Sequence, residues 1–460
     1  MDKILEKYSY IWPDFGIQNS SQWQKIEGKR LLKRELPEEV SVLRQQSRWP
    51  ALFPSAMCLV TTADGSIVAL EKVVAPVIVN RFPYVMSLSF CVMDLSDRHY
   101  SRKKFLEILE RGGSVAVQFV APGESLNKIM DMIASVGDQD AHKRLDLTGL
   151  STRRAVSSDV PVFTDAYLVY EGRLVKENQD MEGQTIYQKP YVDIGSHRIY
   201  FFEINVIQLR EDIAQGRNQI TWRSLPAWTP QFEVSSPQGI SIEEINDGKY
   251  KKGYNPHYRF PSKNTIAFVS DCIENGMAIK KMSSEIVIDN NDSRWPCFFP
   301  SSVGLISSFL EDGTPNLMPC GSTAVVGRLP FIIGICVGYA AINERYKPRF
   351  SLEVIRRSGQ FGCGVPFLND KIIQAITYAG NRSIADDRQK LFNAGLCVDV
   401  SFDVPLLLDL PITFECQVTG EIRLGTHIMF LGEVRKIYIR EDVTSDNPLC
   451  WYPWADVVTA

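Results

Sequence analysis

The 460-residue sequence predicts an α+β fold, mainly β, built as two tandem copies of one domain. Three observations predict it: a long internal repeat, many short runs of Val, Ile, Phe and Thr between turn signals, and helix-period stretches that stop at glycines in corresponding places. Ser47-Arg48-Trp49-Pro50 recurs 246 residues later as Ser293-Arg294-Trp295-Pro296. Near that spacing, Phe53-Pro54-Ser55 meets Phe299-Pro300-Ser301, Asp64-Gly65 meets Asp312-Gly313, and Leu106-Glu107 meets Leu352-Glu353. Gly195-Ser196-His197 meets Gly425-Thr426-His427 at an offset of 230, so the first copy holds about 16 extra residues, mostly between Lys176 and Tyr191. Such a period is a whole domain and not a solenoid unit.

The expected boundaries are 1–225 for the first domain, 226–256 for a linker rich in Pro, Ser, Gly and Glu, and 257–460 for the second. In order, the first copy reads as a strand over Ala56–Thr62, a turn at Ala63-Asp64-Gly65, a helix over Lys103–Arg111 stopped by Gly113, and a strand over Ser114–Val120. The second reads as a strand over Ser301–Leu310, a hairpin turn at Glu311–Thr314 and a strand over Phe331–Gly338. A helix over Phe350–Arg357 stopped by Gly359, a strand over Gly362–Phe367 and a helix over Leu368–Ala379 follow. Late strands close each copy: Ala166–Lys176 with Arg198–Gln208, and Ile412–Thr419 with Ile428–Tyr438. Short strands with inserted helices point to an α+β barrel unit, not an alternating parallel sheet. No G-x-G-x-x-G follows a strand and opens a helix, so a Rossmann site has no support.

A net charge of −4 gives no basic footprint, which argues against nucleic acid as partner. The opening MDKILEKYSY places charges where a signal peptide needs an apolar core, and the longest apolar run, Leu329–Ile342, is too short to span a bilayer. The expectation is a cytoplasmic protein with no membrane partner. Ten cysteines are scattered singly, and Cys320, Cys336, Cys363 and Cys416 in strand-like text read as buried free thiols. Among five histidines only His197 and His427 match between copies, so no metal site is expected.

Three places carry candidate chemistry. Gly321, Ser322 and Thr323 form a small polar loop suited to a phosphate, or simply a turn; Lys72–Ala75 stands near this place in the first copy, without hydroxyls. Arg345, Lys347, Arg349 and Ser351 precede a helix, where charge and helix dipole favour an anion, while a solvated basic face is the plainer reading. The first copy keeps cations here in Arg98, Arg102, Lys103 and Lys104. His427 and His197 each follow a turn and lead a strand, either as hydrogen-bonded structural groups or as proton-transfer groups. Trp49 and Trp295 read as core residues.

In order along the second copy, residues 298–335 (FFPSSVGLISSFLEDGTPNLMPCGSTAVVGRLPFIIGI), the basic segment, SLEVIRRSGQFGCGVP, FECQV and GTHIMFLGEV resemble the flavin reductase-like, FMN-binding split-barrel family. The first copy shows about half of these features. The resemblance implies a Greek-key split barrel in each copy and FMN, or FAD, held by its phosphate at Gly321–Thr323 and at Lys347, Arg349 and Ser351. It also implies NADH or NADPH as co-substrate, with His427 and His197 as catalytic candidates. Family members are homodimers with flavin at the interface, so two tandem barrels would form an intramolecular pseudo-dimer acting on a small-molecule substrate or serving a partner oxygenase. The family's aspartate before the histidine is Thr426 or Ser196 here. Two other readings stay open: a cofactor-free enzyme using the cavity between the halves for a cyclisation or elimination, and a non-enzymatic binder of flavin, haem or another small ligand.

Overall fold

The structure is a computed structural model. It describes residues 10–12, 23–36, 53, 55–80, 83–94, 100–179, 185–187, 190–222, 228–234, 270–282, 303–341, 348–367, 369–451 and 453–459. Trp49, Trp295, Arg98, Arg345, Lys347 and most of the expected linker lie outside the described residues.

The fold is mostly β, with one large antiparallel sheet in each half. The first runs Ile67–Val74, Met57–Asp64, Ser114–Val120, Ala166–Leu174 and the long strand His197–Arg210, whose N-terminal half also pairs with Val85–Cys91. The second repeats the order with Pro315–Cys320, Gly304–Phe309, Gln360–Val365, Ile412–Leu424 and His427–Arg440, the last also pairing with Phe331–Gly338. The two long strands have 14 residues each and begin at the matching histidines. Hydrogen bonding among the described residues leaves both sheets open, so strand pairing does not by itself close the two tandem split barrels expected from the sequence.

Strand and helix character follow from the side chains. Along Met57–Asp64, Cys58 and Val60 enter one core and Met57 and Leu59 another, which is why the text is apolar throughout instead of alternating. Helix α1, Lys103–Gly112, buries Phe105, Leu106, Ile108 and Leu109 at three and four spacing, each worth roughly 1.5–3 kcal/mol. Gly113 ends it at φ 68°, donating its N–H to Leu109 O at 2.8 Å. Helix α2 spans Glu124–Ser135. In the second half, helix α3, Phe350–Ser358, ends the same way at Gly359, φ 65°, and helix α4 spans Asp370–Asn381.

The extra residues of the first copy fall where one strand is cut in two. Ile412–Leu424 is continuous, whereas Ala166–Leu174 and Tyr191–Ile194 pair separately along the corresponding long strand, with a small hairpin of Asn178–Gln179 and Thr185–Tyr187 between them.

The halves exchange hairpins. Leu31–Glu35, with Gln24–Lys25 beside it, pairs with Lys436–Arg440 of the second sheet. Met277–Lys281, with Cys272–Glu274 beside it, pairs with Val206–Arg210 of the first. Each sheet therefore takes its edge from the other half's sequence, which no boundary near residue 226 separates. A shared core joins the halves: Val77, Val85, Ile199 and Phe201 pack with Val326, Ile332, Met429 and Leu431. All nine described cysteines are free, and the four singled out by the sequence are buried.

Candidate functional site

In the second half, Gly425 at φ 78° turns the chain so that His427 opens its strand opposite Gly338, the last residue of Phe331–Gly338. Arg349 N–H donates to Gly338 O at 2.9 Å, which brings the start of α3 beside His427. A Cβ at residue 338 would lie 3.6 Å from His427 Nε2 and 4.0 Å from Arg349 Cγ, so the glycine keeps the space between them narrow but open. Arg349, at the N-cap of α3, makes no side-chain capping bond, and no described side chain accepts from the first-turn N–H groups. Leu352 N–H donates to Arg349 O at 2.9 Å, while the N–H groups of Phe350 and Ser351 and the positive dipole end suit an anion.

Three further groups converge on this helix end. Ser351 is buried and its Oγ accepts from Asn316 Nδ2 at 3.0 Å, which leaves the serine hydrogen to donate elsewhere. Asn316 Oδ1 is buried without a partner among the described residues. Lys390, on a short helix Lys390–Asn393, is only 4 % exposed, and no hydrogen bond or ion pair reaches its ammonium among the described residues. Burial, and then the charge of Arg349, pull its pKa down to about 8, with Asp387 opposing. A buried cation near a second cation, a serine hydroxyl and a helix start form a donor set that suits an anion.

The corresponding place in the first half is filled by the protein itself. Arg102 takes the position of Arg349, and its N–H donates to Cys91 O at 3.0 Å. The end of α1, however, is capped by a carboxylate: Lys104 and Phe105 N–H donate to Asp138 at 2.7 and 3.3 Å. The matching residue in the second half is Ile384. Arg144, at the place of Lys390, is paired with buried Glu71 at 2.7 Å, and Arg102 lies 3.6 Å from the same carboxylate. The strand pairing puts Met318 where Glu71 stands. Cys91 replaces Gly338 opposite His197. Burial, then Arg328 and Arg102, push the His197 pKa down to about 3, so this imidazole is neutral near pH 7.

Residues 296–455 match the family model described as the flavin reductase like domain. The second half carries a flavin reductase like domain. An uncharacterised protein of Archaeoglobus fulgidus is 24% identical over 137 residues, covering 30% of this chain and 71% of that protein. Among solved structures, flavoredoxin from Methanosarcina acetivorans is 21% identical, covering 39% of this chain and 92% of that one, with a TM-score of 0.28. The 2-nitrobenzoate 2-nitroreductase NbaA of Pseudomonas fluorescens is 22% identical, covering 32% and 69%, with a TM-score of 0.27.

Within the flavin reductase like domain, the structure brings Arg349, Ser351 and His427 together and places Arg349 at the surface. Thr323 Oγ1 donates to Cys320 O at 2.9 Å, so its hydrogen is engaged within the loop, while Ser322 O accepts from Cys336 N–H at 3.0 Å. Gly321 and Ser322 are half-buried. The first-half counterpart of this loop is Ala75-Pro76, since Lys72–Val74 belong to a strand; Ala75 takes φ 61°. Glu433, on the same strand as His427, is paired with Arg435 at 3.0 Å. Sequence reading missed Lys390 and Asn316. The signal for Lys390 was a cation at one place in both copies, Arg144 and Lys390, 246 residues apart.

Proposed function

We propose that the chain is a flavin-dependent oxidoreductase of the flavin reductase type, with one flavin site, in the second half. The observation that carries the reading is buried Lys390, which makes no ion pair among the described residues, near Arg349 at the start of α3 and inside the flavin reductase like domain. A phosphate monoester fits these donors: Lys390 and Arg349 supply charge, Ser351 a hydroxyl hydrogen and α3 its first-turn N–H groups. When bound, FMN would supply a hydride acceptor at N5 for NADH or NADPH. His427, at the edge of this space, would hold or move a proton at Nε2. Gly321, Ser322 and the residues Arg345 and Lys347 are kept as flavin contacts on the family resemblance.

The correspondence of elements supports a tandem duplication acting as an intramolecular pseudo-dimer, in which the first half has become a wall. A covalent partner makes association intramolecular, at effective concentrations of roughly millimolar. A soluble cytoplasmic setting, a small-molecule substrate and a partner oxygenase that receives reduced flavin complete the proposal.

The test is titration of the purified protein with FMN, read by quenching of flavin fluorescence, then addition of NADH or NADPH under air. Saturation at one flavin per chain with nucleotide oxidation supports the reading. Two equivalents would show that the first-half site is open, and no binding would assign the pocket to another anion.

A further inference from the structure

The turns before the two histidines are held by the opposite halves, with opposite hydrogen-bond polarity. Buried Asn80, of the first half, donates from Nδ2 to Pro83 O at 2.9 Å. Its Oδ1 accepts from Thr426 N–H at 2.9 Å and from Thr426 Oγ1 at 2.7 Å. A carbonyl acceptor on one side and an N–H donor on the other fix the amide's orientation. The single hydrogen of the Thr426 hydroxyl is therefore spent on Asn80. Thr426 Oγ1 is also 2.8 Å from His427 Nδ1, and with its hydrogen spent it can only accept there.

In the first half the roles reverse. Ser196 Oγ accepts from Leu329 N–H, of the second half, at 3.1 Å, so its hydrogen is free to go to His197 Nδ1, 2.8 Å away. With that hydrogen given to Nδ1, His197 would carry its own proton on Nε2.

We infer that Asn80 is a positioning residue for His427: acting through Thr426, it holds the imidazole as the Nδ1–H tautomer, with the proton-accepting Nε2 turned toward Gly338 and Arg349. The second half's site is thus incomplete without one side chain of the first. That His427 serves flavin chemistry rests on the function proposed above; the tautomer does not.

The test is long-range nitrogen–proton NMR on the full chain labelled with 15N-histidine, at a pH where the imidazoles are neutral, with His427→Gln and His197→Gln assigning the signals. The expected spectrum shows opposite patterns: protonated Nδ1 and bare Nε2 for His427, and the reverse for His197. In Asn80→Ala the threonine hydrogen is released to Nδ1, and His427 shifts to the Nε2–H form with the His197 pattern unchanged. Thr426→Val, which removes the hydroxyl and leaves Asn80 in place, abolishes the preference and serves as the deciding variant if Asn80→Ala does not fold. A wild-type His427 protonated at Nε2 overturns the inference, as does a Nδ1–H pattern that survives Thr426→Val. Retention of the tautomer without any flavin binding would sink the proposed function alone.

Discussion

The ends of α1 and α3 occupy the same place in their halves and have met the same electrostatic problem in opposite ways. The first half answers its two arginines with its own carboxylate and caps its helix with another: Glu71 serves Arg144 and Arg102, and Asp138 caps α1. The second half substitutes Met318 and Ile384 for those carboxylates and keeps Lys390 buried with no ion pair among the described residues. A self-satisfied network holds a fold together, whereas an unbalanced one stores binding energy for a ligand at the expense of stability. One site reads as closed and one as open from charge accounting alone.

The comparison breaks most visibly at Glu71. Glu71→Ala leaves Arg144 buried and unpaired and should cost about 3–5 kcal/mol in urea denaturation of the full chain. A loss under about 1 kcal/mol would show that the first-half network is not what balances the site. Lys390→Met should act oppositely on two measurements: FMN affinity drops ~10–100-fold by fluorescence titration, while thermal stability rises. Affinity left intact with raised stability would make Lys390 a mere structural defect.

The pH dependence sharpens the same point. The folded pKa of Lys390, about 8, lies below the ordinary lysine value, so its burial penalty is fully present below pH 8 and is relieved as pH rises toward that value. The stability gained in Lys390→Met is therefore largest at neutral pH and vanishes in strong alkali. FMN affinity of the wild type should stay level up to about pH 8 and then fall by at most about tenfold per unit, a decline that Lys390→Met lacks. The smallest effect is expected for Asp138→Ala, which removes the cap of α1 at a cost of about 1 kcal/mol. Its flavin stoichiometry should remain one per chain, because Glu71 still neutralises both arginines.

Local features were legible in the sequence because they depend on neighbouring residues. Asp312-Gly313 makes its turn with Gly313 at φ 79°, both helices stop at left-handed glycines, and Phe331–Gly338 is a strand with the expected ends. Arg349, Ser351 and His427, singled out by motif order, lie at the start of one helix and the strand beside it. Lys390 was missed because four residues of helix have no periodicity to read, and its meaning lies in the carboxylate that Met318 does not supply. Asn80 was hidden for a related reason: its partner, Thr426, is 346 residues away. The exchanged hairpins were equally invisible, since a strand's own alternation says nothing about which sheet edge it will join.

That exchange also sets a timetable for synthesis. The first sheet lacks the strand Met277–Lys281 until translation has passed well into the second copy. The hairpin ending at Glu35 has no sheet to join until Arg440 emerges. At roughly 5–20 residues per second the wait is on the order of 20–80 s. For that interval the first of the two sheets to be made is missing its edge strand, and the oldest part of the nascent chain is the last to find its place.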